Sequence, residues 1–209
     1  MTRMGQLRGR YSRGYLPHFD AGRSPQFVTW RLADAVPREA IERWQEELSR
    51  EQDSFRKAEI ARRIESHCDS GSGEGLMSAP KVADAVQEVL FEGHGAMFDL
   101  HCWVIMPNHV HLILSPAELS VGEVVRRLKG ASSREINRQM SRSGRLWQPG
   151  FFDRLIRTSE HFDRTRSYIE WNPVKAKLCT DPALWRWSSG NSESRNDLEI
   201  AGRGRNLGV

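Results

Sequence analysis

The stretch Cys-Trp-Val-Ile-Met-Pro-Asn-His-Val-His-Leu-Ile-Leu, residues 102–114, constrains this chain more than any other part of it. Two apolar runs meet at Pro107-Asn108, and two histidines open the second run. Apolar runs of this length, bounded by a turn dipeptide, read as strands joined by an antiparallel hairpin or a sharp bend. Side chains on a strand alternate between faces. His109, His111 and Ile113 therefore project together, with Val110, Leu112 and Leu114 on the opposite side. Two imidazoles side by side on a rigid strand supply half of a metal site. A His-x-His pair equally suits one ring packed in a sheet and one in water, so the rest of the chain decides its meaning.

The other segments place a sheet and its helices around that hairpin. Residues 26–32 alternate β-branched and aromatic side chains and are predicted as the first strand. Pro37 suits the first turn of a helix, and Ala40, Ile41, Trp44 and Leu48 keep helical spacing after it. A charged helical stretch over 55–64, a Gly/Ser loop over 69–75 and an amphipathic helix over 80–91 complete this region. Residues 97–106 and 109–114 form the next two strands. A long helix spans 119–140, a fourth strand 151–157, and a final helix starts at Ser159 as N-cap and stops near Pro173. Trp185, Trp187 and Ser188 are expected to close the core. The order β-α-α-α-β-β-α-β-α implies an α+β fold, with a mainly antiparallel sheet of about four to five strands and packed helices.

Residues 1–24 read as a basic N-terminal arm, 25–190 as one domain, and 191–209 as a polar, disordered tail; within the domain, 37–92 is the helical stretch before the hairpin. No window approaches a membrane span, and the three isolated cysteines, Cys68, Cys102 and Cys179, suit a reducing cytoplasm.

Charge points to a polyanionic partner. The chain has 209 residues and a formal net charge of +4, but the charge is segregated. Residues 1–37 carry 6 Arg against 2 Asp, and residues 121–187 carry 14 Lys/Arg against 7 Asp/Glu, while the 38–94 region is acidic. Basic segments thus flank the His-x-His strand, the pattern expected of a nucleic-acid partner. Arg126, Arg127, Lys129, Arg134 and Arg138 on the long helix, with Arg154, Lys175 and Lys177, are the candidate phosphate contacts.

The last predicted helix supplies a possible nucleophile. Tyr168 and Asn172 are four apart and share a helical face, with His161 and Arg164 roughly on it and Phe162 and Ile169 off it. A tyrosine hydroxyl titrates near 10 when unperturbed, so nucleophilic use needs a neighbouring cation or a metal-polarised electrophile. A packing tyrosine and a helix-terminal asparagine before proline are the structural alternatives at these two positions.

Three motifs resemble a known family. Met-Pro-Asn-His-Val-His-Leu-Ile (106–113), Leu-Trp-Gln-Pro-Gly-Phe-Phe-Asp-Arg-Leu-Ile-Arg (146–157) and Tyr-Ile-Glu-Trp-Asn-Pro-Val-Lys-Ala-Lys-Leu (168–178) together resemble the REP-associated tyrosine transposases, single-tyrosine members of the HUH nuclease superfamily. Gly-Tyr-Leu-Pro-His-Phe-Asp (14–20), followed by Gln-Phe-Val-Thr-Trp-Arg-Leu-Ala-Asp (26–34), resembles the opening of one branch of that family, and Trp-Arg-Trp-Ser-Ser (185–189) its ending. The resemblance spans residues 14 to 190 and implies the HUH-nuclease architecture, ferredoxin-like or RRM-like.

By this resemblance His109, His111 and Asn172 hold a divalent metal, Mg²⁺ or Mn²⁺, and Tyr168 is the nucleophile. The implied reaction is cleavage and rejoining of single-stranded DNA near repetitive extragenic palindromic hairpins, through a 5′-phosphotyrosine link. A cytoplasmic, nucleoid-associated protein is implied, working as a monomer or homodimer, with the REP-associated branch favouring the monomer. The alternatives are a DNA-binding protein that has lost cleavage, a water-using metal-dependent phosphodiesterase and, weakest, a zinc-binding structural module. Two departures stand out: the long helical insertion, and Lys177 where the family usually has Gly.

Overall fold

The computed structural model describes residues 9–13, 16–20 and 22–203. A four-stranded antiparallel sheet organises the molecule, in the order β4-β5-β3-β6. Its strands are β3 (Gln26–Arg31), β4 (Phe98–Ile105), β5 (His109–Pro116) and β6 (Phe152–Leu155). Strands β4 and β5 form the expected hairpin around Pro107-Asn108, and β3 pairs β5 with Thr29 opposite His111 and Arg31 opposite His109. Seven α-helices pack with the sheet among the described residues: α1 (Arg38–Glu47), α2 (Asp53–Asp69), α3 (Pro80–Gly93), α4 (Val121–Gln139), α5 (Ser159–Glu170), α6 (Asn172–Lys175) and α7 (Ser192–Arg203). The predicted α+β class and the strand and helix order hold.

The alternation of β5 divides the core in two. Val110, Leu112 and Leu114 join Val28, Trp30 and Trp103 in the larger cluster, packed with Val86 and Leu90 of α3 and Val124 and Leu128 of α4. Ile113 joins Phe27, Cys102, Val104 and Met106 on the other face, against Ile169 of α5. A bulge between Leu100 and Cys102 shifts the parity of β4, so that Cys102 and Val104 reach this second face while Trp103 fills the first. Burial of both sheet faces explains why β4 and β5 read as near-continuous apolar runs.

Three expectations need correction. The basic arm includes two paired strands, β1 (Gly9–Arg13) and β2 (Leu16–Asp20), where an extended arm was expected. The disordered tail is replaced over Ser192–Arg203 by α7, which buries Leu198 against the larger core and packs on α3. Residues 204–209 of that predicted tail lie outside the described residues. The second insertion helix runs from Asp53 to Asp69, beyond the predicted 55–64, because Ile60, Ile64 and Cys68 continue one buried stripe at four-residue spacing.

Two smaller motifs fix the frame. In Leu146-Trp147-Gln148, Trp147 is buried and donates to Ser132 Oγ at 3.1 Å, while the Gln148 side chain accepts from Arg31 Nε at 2.7 Å and donates to the carbonyls of Ala33 and Val36. Residues 185–189 run beside β4: Ile105 N–H donates to Trp187 O at 2.9 Å, and Trp185 Nε1 donates to Ile105 O at 3.0 Å. No helix is long and apolar enough to cross a membrane among the described residues.

Candidate active site

His109 and His111 project from the second face of the sheet, both essentially buried. Their rings lie 4.4 Å apart, centroid to centroid. Each is held by its Nδ1. His109 Nδ1 meets Asn108 Oδ1 at 2.6 Å, and His111 Nδ1 meets Thr29 Oγ1 at 2.7 Å across the strand pair.

The Asn108 network assigns the His109 tautomer. Asn108 Nδ2 donates to Cys68 O at 3.1 Å and to Ser72 O at 2.6 Å, at the end of α2. Its Oδ1 is therefore the acceptor that faces His109, so Nδ1 carries the proton and Nε2 is left as a bare lone pair. Burial first, and His111 beside it, hold the His109 pKa well below the usual imidazole value, with Asp69 opposing them. The ring is neutral in the physiological range.

Helix α2 contributes the third group. Asp69, the last residue of α2, places Oδ1 3.4 Å from His109 Nε2 and 3.9 Å from His111 Nε2. Burial alone would raise this carboxyl. Hydrogen bonding and charge from His111, with His109 and Asn172, outweigh it, and the net shift is downward. A carboxylate oxygen and an unprotonated imidazole nitrogen thus face each other as two acceptors with no proton between them.

A metal ion fits that arrangement. Asp69, His109 and His111 form a cluster whose donor atoms all lie within 4.8 Å of one another. Octahedral ligands at roughly 2.1 Å stand about 3 Å apart, so a small inward movement closes the set. His109 Nε2 and Asn172 Oδ1 are both buried without a hydrogen-bond partner, the two unmet acceptors that a cation would satisfy.

Tyr168 closes the site from α5. Its hydroxyl donates to Asp69 Oδ2 at 3.2 Å and lies 3.5 Å from His111 Nε2. The half-buried ring meets Phe27 edge-on, and Lys175 Nζ stands 4.9 Å from its centroid. Burial, then the carboxylates of Glu65 and Asp69, push the phenol pKa upward, so at rest it stays protonated. Asn172 follows one turn later at the start of α6, where Nδ2 faces Asp69 Oδ1 at 3.4 Å. Tyr168 and Asn172 share one helical direction, and both meet the carboxylate rather than each other.

The structure separates the remaining candidate residues. Arg126, Arg127, Arg134 and Arg138 lie on α4, whose apolar stripe covers the opposite face of the sheet from the histidines. Arg126 and Arg127 pair with Glu123, and Arg138 with Glu135. Lys129 differs from its expected role: it is turned inward, where it donates to the carbonyls of Gln148 and Gly150 at 2.6 Å each. Burial, then the charges of Arg31 and Arg145, bring its pKa down to about 8. Arg154 and Lys175 lie on the histidine side, and Lys177 is exposed just beyond α6. The N-cap of α5 is Thr158, not Ser159: its Oγ1 accepts from His161 N at 3.1 Å.

The sequence assigned no role at the site to Asp69, Asn108, Thr29 or Glu65. The apolar spacing of Ile60, Ile64 and Cys68 carried the signal for α2 reaching Asp69. The Thr29–His111 pairing needs the strand register, which sequence alone does not supply.

Residues 80–172 match the model of the IS200-like transposase family, a span that runs from the start of α3 through Tyr168 to Asn172. A REP-associated tyrosine transposase of Escherichia coli K12 is 30% identical over 97 residues, which are 44% of this chain and 54% of that protein. A Haemophilus influenzae protein named for the same family is 28% identical over 105 residues, 45% of this chain and 60% of its own length. The chain therefore aligns with little more than half the length of these curated relatives. The fold matches a REP-associated tyrosine transposase solved with a REP hairpin, with a TM-score of 0.53 at 16% identity, over 86% of this chain and 81% of that one. The chain is thus similar to REP-associated tyrosine transposases in its curated relatives and its fold, and its residues 80–172 match the IS200-like transposase model.

Proposed function

We propose that this protein is a metal-dependent DNA strand transferase that cleaves and rejoins single-stranded DNA of the REP-hairpin type through Tyr168. The observation that carries the reading is the convergence of Asp69 Oδ2 and His111 Nε2 on the Tyr168 hydroxyl, at 3.2 and 3.5 Å. On this reading residues 25–190 are one transposase domain that includes the 37–92 insertion.

His109, His111 and Asp69 would hold the ion, with Asn172 Oδ1 as a further ligand after a half-turn of its amide. Mg²⁺ or Mn²⁺ there would supply Lewis-acid stabilisation of charge on a nonbridging phosphate oxygen. The chain's own groups do the rest. Asp69 Oδ2 already accepts the Tyr168 hydrogen bond, so it is the base within reach of the phenol proton. Tyr168 Oη attacks phosphorus, the P–O3′ bond breaks, and the products are a 5′-phosphotyrosine and a free 3′-OH. A second 3′-OH reverses the step and joins strands, because the phosphodiester is conserved as a phosphotyrosyl ester. Lys175, above the phenol ring, favours the developing phenolate.

The test is a covalent adduct. The protein is incubated with Mn²⁺ and a 5′-tailed DNA hairpin and run on a denaturing gel. A slow protein–DNA band that vanishes in Tyr168→Phe supports strand transfer. Cleavage that survives in Tyr168→Phe points to the water-using phosphodiesterase, and binding without cleavage to the non-cleaving DNA-binding protein.

A further inference from the structure

The insertion does more than bring Asp69 to the histidines: it roofs a cavity beside them. Helix α5 packs on β4 and β5, while α2, which contacts β2, stands across a cavity from the β3–β6 half of that sheet face. Between α2 and this half lies a cavity of about 690 Å³, within the roughly 300–1,000 Å³ typical of small-ligand sites. Thr29 and Phe152 lie on its floor, and His111 stands at its inner end. The cavity and the candidate active site are therefore continuous.

The cavity exists because of which residues α2 turns inward. Lys57, Ala58, Ala61, Arg62, Glu65 and Cys68 line it, at the three- and four-residue spacing of a single helical face. The alanines in the middle of that face leave open space between helix and sheet. Lys57 and Arg62 at the roof's edge are joined by Arg31, Arg154 and Arg157 from below, against Glu65 and Asp153. Lys57 pairs with Asp53 and Arg62 with Glu59, so the attraction for an anion comes mainly from Arg154 and Arg157.

The arrangement also offers a surface for a base. The Phe152 ring is half-buried in the lining, and the Arg154 guanidinium lies over it, 5.5 Å from its centroid. An unpaired base that takes the place of the guanidinium gains an aromatic stacking platform and frees the arginine for its phosphate. Arg157 is exposed, and Arg154 is exposed over the Phe152 ring, so both guanidinium groups stand where a phosphate can reach them. A duplex cannot enter a space roofed by a helix, whereas one nucleotide of a single strand can.

We infer that the cavity between α2 and the β3–β6 edge binds one unpaired nucleotide of the substrate strand, its base against Phe152 and its phosphate toward Arg154 and Arg157. This inference rests on the strand-transfer reading, because it takes the occupant to be the nucleotide next to the phosphate addressed by His111 and Tyr168. The insertion then serves as a strand clamp for single-stranded DNA.

Binding in EDTA tests this separately from cleavage. Fluorescence anisotropy is measured with a DNA hairpin carrying a six-nucleotide 5′ tail and with the same hairpin lacking it. The tail should strengthen wild-type binding. Ala61→Trp, which fills the cavity, should weaken binding of the tailed probe at least tenfold and leave the tail-less hairpin unchanged. Arg157→Glu, on the exposed rim, gives the same contrast if the tryptophan variant does not fold. With 2-aminopurine moved along the tail, one position should be quenched in the wild type and brightened in Phe152→Leu. Unchanged tail affinity in both variants, or no tail contribution in the wild type, overturns the inference. Loss of tail affinity in a protein that forms no covalent adduct with Mn²⁺ would leave the nucleotide site standing and remove strand transfer instead.

Discussion

Replacing Asn108 with alanine should damage the fold and the metal site together, by separable amounts. The side chain is buried and makes three hydrogen bonds: Nδ2 to Cys68 O at 3.1 Å and Ser72 O at 2.6 Å, and Oδ1 from His109 Nδ1 at 2.6 Å. Each is worth about 1 kcal/mol net, so Asn108→Ala should cost roughly 3 kcal/mol, read as an early midpoint in urea. For a protein of this size that is a fall in melting temperature of roughly 6–12 °C. The truncation also frees the His109 ring and its tautomer, and loss of such an orienting partner weakens metal binding by about 10–100-fold. Mn²⁺ titration calorimetry reads that directly. Asn108→Asp separates the two roles: its carboxylate still accepts from His109 Nδ1, but it has no donor for the two carbonyls of α2. It should unfold early yet bind Mn²⁺ more tightly than Asn108→Ala. An alanine variant with wild-type stability and wild-type Mn²⁺ affinity would refute the tautomer argument and the clamp on α2.

Lys177 has φ +60°, at the C′ position of a Schellman turn in which Leu178 N donates to Pro173 O and Lys177 N to Val174 O. Lys177→Gly should therefore raise stability by about 1 kcal/mol, measured by chemical denaturation, since a left-handed conformation costs a side chain roughly 1–2 kcal/mol. Gly93 ends α3 against the ring of Phe98, and an added methyl would overlap that ring; Gly93→Ala should destabilise by about 1–3 kcal/mol, with partial recovery in Gly93→Ala/Phe98→Leu. The third expectation concerns acid. His109 has a folded pKa well below its unfolded value near 6.5, so below pH 6.5 the unfolded chain binds a proton that the folded chain refuses. In EDTA, stability should therefore fall with falling pH by up to about 1.4 kcal/mol per unit, and His109→Gln should flatten that slope in denaturation curves at pH 5 to 7.

The sheet was legible because β5 follows a strict two-residue alternation under a recognisable turn. His109, His111 and Ile113 on one face, and Val110, Leu112 and Leu114 on the other, are distributed between the two core clusters as that alternation requires. That Tyr168 and Asn172 share a face was legible from helical spacing, while the roles expected of them came from the family resemblance. Asp69 was not, because a carboxylate at the end of a charged helix has no local mark of its task; only the position of α2 over β5 supplies it. The basic residues of α4 carry no such mark either. A helix face rich in arginine reads alike whether it meets a ligand or solvent, and here Glu123 and Glu135 on the same helix already pair with Arg126, Arg127 and Arg138. Lys129 sits among them in sequence, but its inward position is visible only once the 148–150 loop is placed beneath it.

The docking of the insertion also limits how a DNA strand can approach. Asn108 ties the end of α2 to the β4–β5 turn, and Met77 N donates to Pro107 O at 3.0 Å on the same turn. Gly75, at φ +61°, lies so close that a Cβ there would come within 3.3 Å of Pro107, a contact and a backbone conformation that together favour glycine. The α2–α3 segment is therefore fastened to the hairpin that carries both histidines, and α5 covers the β4 side. Strand β2 packs against β6 and reaches α2, so the space left on this face is the cavity beneath α2, where Arg154 and Arg157 are exposed. A substrate strand reaching Tyr168 through that cavity passes beneath α2 before it meets His111. The element that completes the candidate metal cluster would then also sort single strands from duplex.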